Sequence, residues 1–115
     1  MIGAAADKQR LLHIRDAIKE IEHYVAGLTA SVFFENSLIR SGCVFQLQII
    51  GEAANHVSES LQLQHAEIEW RSMAGLRNII VHAYWGIDYV QIWRIIKEDL
   101  PALKNNIDKI LRSLP

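Results

Sequence analysis

The chain has 115 residues, half of them hydrophobic and 22% charged, with a formal net charge of −1. That length supports a single domain, residues 1–115, whose core needs no disulfide or metal to hold it. The near-neutral balance excludes a surface coated in basic groups for general nucleic-acid binding, but not a local cluster of arginines.

The chain reads as helices from its first turn. Met1 to Arg10 has no apolar core followed by a cleavage site, so no signal peptide is expected. Leu11, Ile14, Ile18, Ile21, Val25 and Leu28 step by three and four, which predicts an amphipathic helix from about Asp7 to Ala26, ended by Gly27. His13 and His23 are ten apart, too far to face one another as metal ligands, and read as surface residues. Thr29 to Ser37 reads as a connection, with Ser31 or Ser37 capping the next helix. That second helix, about Ser37 to Ser60, carries Leu38, Phe45, Ile49, Ile50, Ala53, Ala54 and Val57, apolar over much of its circumference and so central. Within it, Gly51 either permits a close helix crossing or weakens the helix. Glu52 either turns inward, where it needs an arginine from the third helix, or points to water. Cys43, the only cysteine, reads as a small core residue, and its solitude favours a reducing, cytoplasmic setting.

Gln62 to Glu67 is polar and reads as a loop or ragged helix end. A third helix is expected from Ile68 or Trp70 to Trp85, stopped by Gly86. Asp88 is placed to cap a fourth helix, with Gln91 at the capping-box position and Ile87 and Ile92 as a hydrophobic staple. Pro101 falls inside that helix and predicts a kink or break near Lys97 to Leu100. No apolar run approaches the ~20 residues of a membrane span. The expected fold is an all-α bundle of four helices, or five if Pro101 breaks the last.

The third helix holds the chemistry. At ~100° per residue, Arg77, Asn78, His82 and Tyr84 share one arc, and Ser72, Met73, Leu76, Ile79, Ile80 and Ala83 form the opposite, core-facing stripe. Trp70, Ala74, Val81 and Trp85 fall within the polar arc. Large apolar groups there suggest a surface covered by a second copy of the chain, unless the tryptophans fold back onto the fourth helix. Histidine can take and give a proton near neutrality, and arginine's planar fork suits phosphate oxygens. Asn78 and His82, one turn apart, are neighbours, so the amide can orient the imidazole. These are the parts for cleaving RNA without a metal. No Cys/His spacing offers a metal site and no glycine-rich loop a nucleotide cradle. Taken alone, such a trio on one helix is more often structural.

Arg77-Asn78-x3-Val81-His82-x-Tyr84 resembles the R-x4-6-H-x-Y motif of the HEPN superfamily. The chain is more narrowly similar to HepT-like toxins, the partners of MNT-type minimal nucleotidyltransferase antitoxins. Ile49-Ile50-Gly51-Glu52-Ala53-Ala54, Trp70-Arg71-x3-Gly75-Leu76 and Asp99-Leu100-Pro101 extend the likeness across nearly the whole chain; Glu69 departs from it where relatives often carry proline. The resemblance implies a HEPN bundle that dimerises with its motifs facing, and a metal-independent endoribonuclease toxin in need of no cofactor. Arg77 and His82 would be catalytic, with Asn78 in support, on a transfer or messenger RNA. Tyr84 would accept AMP from the antitoxin. The alternatives are a non-catalytic HEPN module that docks a nucleotidyltransferase or nucleotide, and a plain helical interaction protein.

Overall fold

The computed structural model describes residues 3–79 and 86–115. Every regular element among them is helical: α1 (Ala4–Val25), α2 (Ala30–Glu35), α3 (Ser37–Asn55), α4 (Glu59–Gln64), α5 (Trp70–Gly75), α6 (Tyr89–Arg94) and α7 (Leu100–Ser113). The all-α expectation holds. None of these helices is long and apolar enough to cross a membrane.

The bundle is built on α1 and α3, which pack side by side, with α7 against α1, α5 against α3 and α6 against α2. The apolar stripe of α1 is buried as its spacing requires: Leu11, Ile14, Ile18, Ile21 and Val25 meet Leu47, Ile50, Ala53 and Ala54 of α3 in one core. Gly27 follows α1 at φ 73°, a left-handed conformation that costs glycine least.

The second predicted helix is shorter than expected, and the polar stretches around it are not plain loops. The α3 helix ends at Asn55 rather than Ser60, because Ser58 is extended and caps α4 by accepting from the amide of Leu61 at 3.3 Å. Buried Asp7 holds that turn in place, accepting from the Ser58 amide at 2.8 Å and its hydroxyl at 2.6 Å. Likewise α2 forms inside the expected connection. The caps there are Thr29 for α2 and Asn36 for α3, not Ser31 or Ser37. Cys43 is fully buried, and burial pushes its thiol up to about 11.

Asp88 caps α6 as predicted, accepting from the Gln91 amide at 3.1 Å. The capping box is only half made, since the Gln91 side chain instead accepts from Arg94 at 2.7 Å. Ile87 packs on the core beside Ile92. The perturbation before Pro101 takes the form of a π-helical turn, Ile95–Asp99, joining α6 to α7. Proline donates no backbone hydrogen bond, and its ring clashes with the carbonyl four residues back. A widened turn accommodates both without breaking the helix.

Candidate functional site

The site is built where α5 crosses α3. A Cβ at residue 51 would collide with the backbone nitrogen of Arg77 and lie 2.9 Å from the Leu76 carbonyl carbon. Gly51 is therefore there for close approach, which settles the choice between crossing and weakness. The crossing seats the backbone of residues 76–77 directly on α3.

The third predicted helix is not a regular α-helix along its length. The α-helical part stops at Gly75 and continues as a tighter 3-10 turn over residues 76–79. A 3-10 turn advances 3.0 residues per turn, so the α-helical count of faces loses phase. Within the α-helical part, two placements differ from expectation. Trp70 is buried, not displayed, and its indole N–H donates to the His65 carbonyl at 3.0 Å. Ser72 is exposed instead of core-facing, whereas Met73 is buried as expected. Arg77 and Asn78 are both exposed, on the outer side of the crossing. His82, Tyr84 and the remaining segment 80–85, with Ile80, Val81, Ala83 and Trp85, lie outside the described residues. Gly86 has a φ of 87°, again left-handed.

Glu52 does not turn inward; it points to water, the second of the two readings open for it. Its side chain is 59% exposed, and it still reaches an arginine of the following helical segment. Oε2 lies 3.9 Å from Nη1 of Arg77, and Oε1 lies 3.4 Å from Nδ1 of His56. The His56 ring is further fixed by its own helix: Nδ1 is 2.9 Å from the Glu52 carbonyl. A carbonyl only accepts, so Nδ1 donates and Nε2 of the neutral ring is the acceptor. Sequence reasoning passed over His56, although its spacing of four from Glu52 on one helix was the available signal.

An open groove of about 740 Å³ runs between α5 and the π turn. Glu67, Glu69, Glu98 and Asp99 line it, with no cation among its described lining residues. Four carboxylates repel a phosphodiester, so volume alone is a poor guide to an RNA site. The Arg77 face is the better candidate.

With this geometry in hand, comparison with known proteins decides the family. The family model for HepT-like ribonucleases matches residues 14–110. The chain belongs to the HepT-like ribonuclease family. It is thus an RNase of the HEPN type, as its motif implied. Relatives agree. A Methanocaldococcus jannaschii protein named as an RNase candidate is 33% identical over 101 residues, 88% of this chain and 93% of the relative. A protein named a probable ribonuclease HepT in Thermococcus cleftensis is 34% identical over 103 residues, 90% of this chain and 94% of the relative. A further RNase candidate, from Caldanaerobacter subterraneus, is 28% identical over 102 residues, 89% and 91% of the two chains. No solved structure matches the chain.

Proposed function

We propose that this HepT-like ribonuclease is the toxin of a toxin–antitoxin pair, cutting RNA at a cleft shared by two copies of the chain. The observation that carries the reading is the exposed pair Arg77 and Asn78, held at the Gly51 crossing in a chain of this family. In this reading His82 takes the proton of a ribose 2′-hydroxyl. The 2′-oxygen bonds to phosphorus, the bond to the 5′-oxygen breaks, and the imidazolium returns its proton to the departing oxygen. Arg77 balances the charge that gathers on the phosphoryl oxygens, and Asn78 holds the imidazole or an oxygen of the phosphate.

The dimer is supported by a stripe on α3. Leu38, Phe45 and Glu52 are seven apart and share one face. Leu38 is 82% and Phe45 59% exposed, and the stripe leads directly to Arg77. Exposed large apolar groups continuous with a charged site are what a self-contact would cover.

The partner is a minimal nucleotidyltransferase, which transfers AMP from ATP to the Tyr84 hydroxyl with release of pyrophosphate. A nucleotide with its own phosphodiester beside Arg77 would compete with RNA for the guanidinium.

Induced expression of the wild-type chain is expected to slow growth and degrade transfer or messenger RNA, and His82→Ala to do neither. Equal behaviour of the two would refute the nuclease assignment. Intact mass after incubation with the partner and ATP should rise by AMP increments in the wild type and not in Tyr84→Phe.

A further inference from the structure

We propose that Glu52 is the positioning residue for Arg77, fixing one edge of its guanidinium at some cost in affinity for RNA. The proposal rests on the reading of Arg77 as the phosphate-binding group. Three observations converge on it.

The first is the seat. The Gly51 crossing brings the Arg77 backbone onto α3, and the residue next to Gly51 is Glu52. The Arg77 side chain is 42% exposed and extends from a short 3-10 turn. A long side chain so placed has several rotamers open to it. A carboxylate rooted in a 19-residue helix is a firm reference point for it.

The second is the division of the carboxylate. Oε2 faces Arg77 at 3.9 Å and Oε1 faces His56 at 3.4 Å, so the carboxylate lies between two nitrogens at ion-pair distance. His56 is itself anchored to the Glu52 carbonyl at 2.9 Å. The chain of contacts runs from the α3 backbone through His56 and Glu52 to Arg77.

The third is the edge engaged. Glu52 meets Nη1. The guanidinium has five N–H donors in a planar fork, so Nη2 and Nε are left to a phosphate. Glu52 can thus remain in place while RNA is bound. Its negative charge also stands beside the approaching phosphodiester and weakens binding. Orientation and affinity are opposed, which gives the proposal a signature that a merely structural role lacks.

The test is a double-mutant cycle on the full-length chain, with Glu52→Gln, Arg77→Ala and the double variant, each first shown by circular dichroism to retain the wild-type fold. One readout is binding of a single-stranded RNA oligonucleotide bearing 2′-deoxy substitutions, which cannot be cut, by fluorescence anisotropy. Glu52→Gln is expected to bind about three-fold more tightly, the scale of one exposed ion pair. That gain should vanish in the Arg77→Ala background. The second readout is cleavage of the all-ribo oligonucleotide. Glu52→Gln is expected to lower kcat by about tenfold through lost orientation while KM does not rise. Glu52→Asp, which keeps the charge, should recover part of the kcat.

Unchanged binding and kinetics in Glu52→Gln would overturn the proposal. So would a raised KM, the pattern expected of Arg77→Ala, or a binding gain that persists without Arg77. Should the wild type fail to cut RNA while the cycle still shows coupling, the ribonuclease mechanism falls and the Glu52–Arg77 linkage stands. Cleavage without coupling overturns the linkage and leaves the ribonuclease mechanism in place.

Discussion

At the scale of single residues, burial and pairing decide what each group can do. Cys43 is the clearest case. Its thiol is fully enclosed and is pushed up to about 11 because the thiolate cannot be solvated there. The folded chain therefore keeps the proton after an unfolded thiol has lost it. Above the ordinary thiol range the unfolded state binds fewer protons, so stability falls as pH rises towards 11. Urea midpoints should drop more between pH about 8 and about 10.5 in the wild type than in Cys43→Ala, whose cavity penalty does not depend on pH. Asp7 illustrates the opposite arrangement. It is buried, but with two donors from Ser58 on its carboxylate it is well satisfied. Neither its burial nor the Glu52–His56 contact could be read from composition. The burial of Asp7 depends on which elements meet, whereas the spacing of four between Glu52 and His56 was a local signal.

At the scale of elements, periodicity and capping chemistry carried most of the fold. The α1 stripe, the Gly27 stop, the Asp88 cap and the Pro101 perturbation all follow from local rules, because each is decided within a few residues. The shortfalls have one cause. In the third helical segment Trp70 and Ser72 both sit in the regular α-helical part, and what that part packs against, rather than the helical wheel, decides that Trp70 is buried and Ser72 exposed. In the same way Ser58 ends α3 because a residue 51 positions earlier, Asp7, holds it. Arg77 and Asn78, the proposed half-site within the described residues, are exposed in the 3-10 turn as the wheel expected. The crossing itself can be tested. Gly51→Ala must displace the backbone of residues 76–77 and is expected to cost about 1–3 kcal/mol in chemical denaturation. It should also lower RNA cleavage beyond what the stability loss explains. Unaltered stability would mean the two segments do not touch.

At the scale of the whole molecule, the charge is unevenly deployed. The net charge is −1, four carboxylates line the groove beside α5, and Arg77 stands on the other side of that segment beside the apolar stripe of α3. A chain with so little net attraction for RNA gains from pairing two arginine faces, which doubles the positive charge presented to one strand. Phe45→Glu places like charges opposite one another across a twofold contact on that stripe. The wild type is expected to be a dimer by light scattering at micromolar concentration, and Phe45→Glu a monomer with little RNA cleavage. A wild-type monomer would remove the shared cleft.

The Gly51 crossing also governs how this site can be inherited. No side chain fits at residue 51, so any codon change there that alters the amino acid unseats Arg77 without touching it. A collection of spontaneous loss-of-function alleles should thus contain Gly51 substitutions beside those at the reacting groups. The atoms that a Cβ would meet are backbone atoms of Met73, Leu76 and Arg77, so trimming a neighbouring side chain is not expected to restore the fit.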